Sequence, residues 1–330
     1  MAANCKKKKL SLGLVAPALA LVLASATYAL GAAFPEKPIK FILGFSAGGL
    51  TDIVARKLAE KLGHDLGHNV IVENLSGASG NIATKAVATA DADGYTYLIG
   101  ANPLAVNEAL FPDFPVRFGK DLVAVAAIGA TANVLVVQPA LNIHTLAEFA
   151  QRAHEKPDAV SYATSGTGSA SQLAGLAFDR RAGTKMLAVA YRGGSDALKD
   201  LLGGSVDAWF ATIPPVLGAV RDGSLVALAT TGPQRSPWLP DVPTLAESGF
   251  PGYDIRLWVG MFARSGVPAE PMRVMEQAIA HAMAADDTRA ALEGQGITPS
   301  SMSRDEFTAF VDQEIARARA LVGTVKADTH

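Results

Sequence analysis

The 330-residue chain has one cysteine, Cys5, which precedes an apolar run near the amino terminus. The chain beyond it therefore offers no thiol for a disulfide, a cysteine-bound metal or thiol catalysis. A basic surface is also lacking, because the formal net charge is −2 and the one run of basic residues is at positions 6–9. The sequence thus excludes a disulfide scaffold and gives no electrostatic footprint for nucleic acid.

The amino terminus has the pattern of a cleaved export signal. Lys6–Lys9 precede a run rich in Leu, Ala and Val that extends to about Ala26, and small residues follow it. A basic segment, an apolar segment and a small-residue end are the three parts of a secretory signal. We predict that residues 1–33 are removed and that the mature chain begins near Phe34, with a formal charge of −6 once the four lysines are lost. A retained membrane anchor is the alternative.

Strand and helix patterns alternate along the rest of the chain, which is 49% apolar and long enough for two domains. Short apolar runs predict strands, and apolar residues at three- and four-residue steps predict helices between them. This alternation predicts an α/β fold in which helices cover both faces of mainly parallel sheets. The runs predicted as strands are 39–43, 69–73, 95–100, 160–163, 186–191, 206–210, 225–230 and 256–263, and helices are predicted to begin near residues 50, 82, 145, 170, 195, 214, 271 and 303.

The two halves of this pattern predict two domains. We expect the last helices to return to the first sheet, so that residues 34–132 and 233–330 form a discontinuous domain 1 and residues 133–232 form domain 2.

Three local features carry further expectations. Gly63 is placed to end the first helix, and Asn102-Pro103 is expected to open a loop after the third strand. The strongly apolar residues 122–137 are expected to hold two strands, with Thr131-Ala132-Asn133 between them.

The most informative stretch is the small-residue loop Gly44–Gly49, between a buried strand and a helix that starts at Leu50. The first amides of a helix have no intrahelical acceptor and carry the positive end of its dipole. Such a loop suits a carboxylate or a phosphate. The alternative interpretation, equally compatible with this stretch alone, is a tight turn without a ligand.

Two more loops of Gly, Ser and Thr precede helices, at Ser76–Asn81 and Thr164–Ser169. Together with Ser46–Gly49 they predict a cleft lined by amides and hydroxyls from both halves, fit to bind a small anion. Tyr191 and Arg192 follow a strand and would add a phenol and a guanidinium, whose fork matches a carboxylate, although a solvated surface arginine is equally compatible. Trp209 and Phe210, in a later strand, are expected in the core.

An enzyme hypothesis arises from Gly44-Phe45-Ser46-Ala47-Gly48, which matches the G-x-S-x-G nucleophile elbow. Its position disfavours a serine hydrolase, because only about ten mature residues precede Ser46 and that fold builds several strands first. None of the later histidines has a convincing acidic partner. The pair His64 and His68 is expected in a solvated turn and not at a metal. A Walker A sequence is absent, so nucleotide binding is not indicated. No metal or organic cofactor is indicated either.

The sequence resembles the Bug family of periplasmic solute-binding receptors, which serve tripartite tricarboxylate transporters. The resemblance runs from Phe34 to about Ala327. Its landmarks are Phe34–Ile39, Phe45–Gly49 with Asp52 and Arg56, Val72–Asn74, Gly77–Asn81, Asp93–Tyr95, Leu135–Val137, Tyr162, Ser165-Gly166, Gly168-Ser169, Leu173–Gly175, Tyr191–Gly193, Leu201–Gly204, Arg235–Pro237 and Leu239–Thr244.

This resemblance implies a type II periplasmic-binding-protein fold, with two doubly wound α/β domains, two crossover segments and a ligand in the cleft between them. It implies a periplasmic, non-catalytic receptor that closes on a small carboxylate and delivers it to the membrane subunits of the transporter; a ligand sensor for a signalling system is the alternative. For Asp52 a structural role is at least as well supported as ligand contact. The candidate ligand-binding residues are Ser46, Ala47, Gly48, Gly49, Ser79, Ser165, Thr167, Gly168, Ser169, Tyr191, Arg192 and Thr212.

Three positions depart from the common family pattern. They are Gln172, where many relatives have His, Ala211-Thr212, and Asn102-Pro103. Each removes a polar side chain near the far end of the implied ligand. We therefore expect an aromatic or otherwise less polar monocarboxylate in place of a generic dicarboxylate.

Overall fold

Strands and helices alternate along the chain in the computed structural model, which describes residues 1–2, 34–111, 113–191 and 194–327. Residues 3–33 of the predicted signal peptide and Arg192 lie outside the described residues. The strands are β1 (Ile39–Leu43), β2 (Val70–Asn74), β3 (Thr96–Ala101), β4 (Leu122–Val137), β5 (Ser161–Thr164), β6 (Leu187–Ala190), β7 (Ala208–Thr212), β8 (Val226–Thr230), β9 (Arg256–Arg264) and β10 (Thr298–Pro299). The helices are α1 (Leu50–Leu66), α2 (Asn81–Ala88), α3 (Asn102–Leu110), α4 (Leu146–His154), α5 (Ala170–Ala182), α6 (Gly194–Leu202), α7 (Ile213–Arg221), α8 (Ala269–Ala284), α9 (Asp286–Glu293) and α10 (Arg304–Ala327).

The strands form two mainly parallel groups that one long strand connects, in the order β2-β1-β3-β9-β4-β7-β5-β6. In the first lobe β1 pairs in parallel with β2 and β3, and in the second lobe β5 pairs in parallel with β6 and β7. Strand β4 serves both groups, because Leu122–Ala132 pair with β9 whereas Asn133–Val137 pair with β7 and β8.

The expectation of two strands within residues 122–137 is wrong, because β4 is one continuous strand of 16 residues. Its pairing with β9 shifts register twice, between Ala124 and Ala126 and between Ala127 and Gly129. Such bulges bend a strand and increase its twist. One strand can thereby leave the first sheet and enter the second without a turn.

Among the described residues, four hydrophobic clusters cover the sheets, two in each lobe, and this confirms the predicted doubly wound α/β class. In the first lobe, Phe41 on β1 packs with Met275 on α8 on one face, and Leu98 on β3 packs with Phe307 on α10 on the other. The return of the late helices to the first sheet is thus confirmed. Helix α10 also reaches the second lobe, where Leu321 joins the core around Phe178.

Two local expectations about the first lobe are wrong. Helix α1 continues past Gly63 and ends at Leu66, where Gly67 adopts the left-handed conformation with φ +68°. Asn102-Pro103 does not open a loop but forms the first turn of α3, where a proline loses no intrahelical hydrogen bond. Within the described part of the chain, none of the helices has the length and apolarity needed to cross a bilayer.

Candidate functional site

The predicted small-residue loops lie at the carboxyl ends of parallel strands. Residues 44–49 follow β1 and residues 75–80 follow β2, while residues 165–169 follow β5 in the second lobe. In open α/β sheets, ligands bind outside these strand ends. The lobes meet here as well, since a Cβ placed on Gly168 would lie 3.5 Å from Val106 on α3 of the first lobe.

Asp52 holds the first loop in place. Its side chain is buried and accepts hydrogen bonds from the Gly48 N–H at 2.9 Å, from Arg56 Nε at 3.0 Å and from Asn74 Nδ2 at 2.9 Å. Asn74 Nδ2 also donates to the carbonyl oxygen of Phe45 at 3.0 Å. Burial on its own raises the pKa of Asp52, but the donors from Arg56, Gly48 and Asn74 outweigh it, so this pKa lies below its ordinary value. Asp52 therefore positions the loop as an ionised carboxylate, which supports the structural role.

The loop that Asp52 supports leaves its other amides open. Residues 46–49 are exposed, and in the described part of the chain the N–H groups of Ala47 and Gly49 have no hydrogen-bond acceptor. The Gly48 N–H, in contrast, is already satisfied by Asp52. Gly48 has φ +81° with open space where a Cβ would stand, whereas Gly49 has φ −75°. The loop thus presents donors at the positive end of α1, on the edge where the two lobes meet.

The second loop packs directly on the first. A Cβ at Gly44 would lie 2.6 Å from Gly80 Cα, so only glycine allows this approach of the two backbones. Ser79 has φ +54° and is half-buried, and its carbonyl oxygen accepts a hydrogen bond from Asn107 Nδ2 on α3 at 2.8 Å. Ser79 is thereby held beside the first loop.

The third loop, in the second lobe, uses much of its hydrogen-bonding capacity internally. Ser165 N–H donates to Ser171 Oγ at 2.9 Å, Gly168 N–H donates to Gln172 Oε1 at 2.7 Å, and Ser169 Oγ caps α5 by accepting from the Gln172 N–H. Thr167 is exposed and has no hydrogen bond among the described residues. Of the predicted residues here, Thr167 is the one left most open to a ligand.

Tyr191 and Thr212 are the remaining candidates among the described residues. Tyr191 N–H bonds the Thr164 carbonyl oxygen at 3.0 Å, and its phenol donates to Asp200 Oδ2 at 2.9 Å. Burial, and then Asp200, raise the pKa of the Tyr191 phenol. Thr212 ends β7 and precedes α7 without capping that helix through its side chain. Trp209 is fully buried, in line with the predicted core role.

Nothing in the described residues completes a catalytic or metal centre around Ser46. Its hydroxyl has no hydrogen bond there, and His64 and His281 are instead paired with Asp65 at 3.2 and 3.1 Å. His64 thus lies at the end of α1 and not in the predicted turn. No group of three His, Cys, Asp or Glu side chains in this part of the chain is arranged to hold a metal ion.

The sequence-based list omitted residues that position the site from beneath. Asn74 is among the landmarks of the resemblance, but the sequence gives no signal for its bonds to the Phe45 carbonyl oxygen and to Asp52. Asn107 fixes Ser79 from a helix predicted as a loop, and Ser171 satisfies Ser165 from inside α5. A local signal existed only for Ser171, because hydroxyls in a first helical turn commonly bond nearby backbone groups.

Comparisons with known proteins identify the family and support the α/β fold. The family model described as the tripartite tricarboxylate transporter family receptor matches residues 54–326. The protein BugT of Bordetella pertussis is 36% identical over 291 residues, covering 88% of this chain and 89% of that one. Among solved structures, an R. palustris protein with adipate is 30% identical with a TM-score of 0.80, covering 88% of this chain and 98% of that one. MatC from Rhodopseudomonas palustris with bound malate is 30% identical with a TM-score of 0.79, covering 88% of this chain and all of that one. The chain therefore belongs to the receptor family of the tripartite tricarboxylate transporters, the solute-binding proteins known as TctC.

Proposed function

We propose that this receptor binds a small carboxylate between its lobes and releases it unaltered to the membrane subunits of a tripartite transporter. The observation that carries the proposal is the exposed loop at residues 46–49, where Asp52 fixes the backbone and leaves the Ala47 and Gly49 amides without acceptors. Adipate and malate, bound in two relatives at 30% identity, are small carboxylates of the size such a loop suits.

The site residues have different roles in this proposal. Ser46, Ala47 and Gly49 donate to the carboxylate, Gly48 shapes the loop, and Ser79 borders it. Across the cleft, Thr167 donates its hydroxyl, and Ser165, Gly168 and Ser169 form the frame. We propose that Tyr191 and Thr212 contact the rest of the ligand, and that this part is less polar than the second carboxylate of a dicarboxylic acid. Arg192 lies outside the described residues and stays a candidate from the sequence.

Binding at both lobes favours a closed state, because only that state makes contacts from both sides at once. A dissociation constant of about 1 μM corresponds to about −8 kcal/mol, and that free energy must include the cost of ordering and closure. We propose that domain 1 comprises residues 34–132 and 233–330 and domain 2 residues 133–232, so that closure bends the chain at its two crossings. Export through removal of residues 1–33 would place the receptor in the periplasm.

Calorimetry with acetate, benzoate, malate, adipate and citrate tests the proposal, combined with X-ray scattering and recovery of the ligand by NMR. We expect saturable binding of at least one acid, a smaller radius of gyration and an unchanged ligand. Thr167→Val should weaken binding, whereas Thr89→Val, an exposed threonine at the end of α2, should not. If the protein converts an ester or acid and Ser46→Ala loses that activity, the receptor function is refuted in favour of a serine hydrolase. If none of the five acids binds, the proposal that the ligand is a carboxylate is refuted.

A further inference from the structure

A cavity of about 220 Å³ lies in the first lobe between β4, β9, β10 and α10. It shares no residue with the loops of the cleft. Engineered cavities of about 150 Å³ hold benzene, so this volume admits one ring or a short carbon chain. Cavities that stay empty in proteins are apolar. This one has a polar mouth, so its polar atoms can bind water or the polar group of a ligand.

The inner wall of the cavity is aromatic. Trp258 is buried and lies edge to face with Phe307 and Phe310, with ring centroids 6.2 and 6.0 Å apart. Met302 contributes an exposed thioether at the rim. Such a surface binds the apolar body of a ligand, since aromatic and thioether groups gain by excluding water.

The mouth of the cavity carries two ion pairs that converge on Asp254. Arg256 donates to both carboxylate oxygens of Asp254, at 2.7 and 2.9 Å. Arg317 pairs with Glu314 at 2.8 Å and also donates to the backbone carbonyl oxygen of Asp254 at 2.9 Å. The indole N–H of Trp258 donates to the second oxygen of Glu314 at 3.2 Å. Three of the four carboxylate oxygens therefore already accept a hydrogen bond, and the fourth, on Glu314, is paired with Arg317.

The unused capacity at this mouth is consequently on the donor side. A guanidinium has five N–H donors, and Arg256 and Arg317 each retain several without an acceptor in the described part of the chain. Burial raises the pKa of Glu314, whereas Arg317 and the Trp258 indole N–H oppose that effect. Unused guanidinium donors beside an apolar wall match an anionic head joined to an apolar body.

We propose that this cavity is a second binding site, separate from the cleft, for a small amphipathic carboxylate such as an aromatic or short aliphatic acid. Its apolar body contacts Trp258 and Phe310, and its carboxylate accepts hydrogen bonds from Arg256 and Arg317.

The test uses the full mature protein labelled with 5-fluorotryptophan, because Trp258 lines the cavity whereas Trp209 and Trp238 lie in other regions. Fluorine NMR, with signals assigned by Trp→Phe variants, follows titrations with benzoate, hexanoate and the neutral amide benzamide. We expect benzoate or hexanoate to shift the Trp258 signal saturably. Benzamide should bind about tenfold more weakly, because it lacks the charge that strengthens bonds to the arginines.

Variants separate this site from the cleft and from general surface effects. Arg256→Gln should weaken binding about tenfold, whereas Arg273→Gln, which removes a similar exposed arginine–carboxylate pair on α8, should not. Because Arg317→Gln alone would leave buried Glu314 without its cation, Arg317 is tested in the double variant Glu314→Gln/Arg317→Gln. We expect weakened binding there too, with the Trp258 response preserved in the cleft variant Thr167→Val.

Three results would overturn the proposal. The first is that neither acid shifts the Trp258 signal even above about 10 mM, where weak sites also fill. The second is equal binding of benzamide and benzoate. The third is a Trp258 response that weakens in Thr167→Val together with ligand binding in the cleft. The last result would show that Trp258 reports closure of the cleft.

Discussion

Replacing Asp52 by alanine should disable ligand binding by releasing the first loop, without touching any proposed ligand contact. The carboxylate is 2% exposed and accepts from the Gly48 N–H, from Asn74 Nδ2 and from Arg56 Nε. Its removal leaves the Gly48 N–H and one of the two Asn74 Nδ2 hydrogens without an acceptor. The other Asn74 hydrogen still reaches the Phe45 carbonyl oxygen, but on a side chain that is less firmly held.

The magnitude follows from these three bonds. A hydrogen bond to a charged group contributes about 1.5 kcal/mol or more, but Arg56 is half exposed and adds little. Water can reach the exposed Gly48 amide, so the loss should be about 2–3 kcal/mol of unfolding free energy, or about 5 °C in Tm. Affinity should fall at least about tenfold, because binding must then order a loop that is preformed in the parent protein.

Thermal unfolding and calorimetry on the same samples measure both effects, with Asp65→Ala as the matched control. Asp65 lies on the same helix and holds charged partners, but it stands at the end of α1 remote from the loop. We expect Asp65→Ala to lower Tm and leave affinity unchanged. If Asp52→Ala binds ligand as tightly as the parent protein, the assignment of Asp52 as the support of the site is refuted.

Two further predictions concern the first loop and the carboxyl end of α1. Gly48 has φ +81°, so Gly48→Ala should weaken binding several-fold and cost about 1 kcal/mol of stability. Gly49 has φ −75°, and a Cβ there would meet only the Ser46 carbonyl oxygen at 3.5 Å, so Gly49→Ala should retain the fold. Equal stability of the two variants would contradict this reasoning. Hydrogen bonds from His64, and then from His281 and Lys61, lower the pKa of Asp65 to about 2. The ionised Asp65 therefore stabilises the folded protein fully above pH 4, and this contribution is lost as the pH falls toward 2. Tm measured between pH 5 and about 2.5 should therefore fall less steeply in Asp65→Asn, and parallel profiles would contradict the pairing.

The sequence carries enough information for the fold class and for the edge on which the three candidate loops lie. Apolar periods separate strands from helices, and carboxyl ends of neighbouring parallel strands must share one edge. The bond from Gly48 to Asp52 spans four residues and is of the kind a first helical turn makes, so a positioning role for Asp52 was within reach.

The single strand β4 was not predictable in the same way. Thr131-Ala132-Asn133 has the small and polar composition of a turn, yet Thr131 and Asn133 are both buried within β4. What replaces a turn there is a partner far along the chain: the Asn133 N–H donates to Thr231 Oγ1 at 2.9 Å, and the Thr231 N–H donates to the Asn133 carbonyl oxygen at 2.8 Å. Long-range pairing of this kind overrides local propensity and leaves no local trace.

A negatively charged chain can still bind an anion, because the first loop supplies donors that act at short range. The chain has a formal charge of −2, and removal of residues 1–33 would change it to −6, so its overall field repels an anion at long range. Backbone amides act only at contact distance, and at Ala47 and Gly49 they are exposed on a backbone that an ionised Asp52 holds from behind. That buried carboxylate is itself neutralised by Arg56, so it contributes little repulsion. Selectivity for an anion therefore depends on the geometry of a few fixed donors, and this is why a change beneath the loop should cost as much as a change within it.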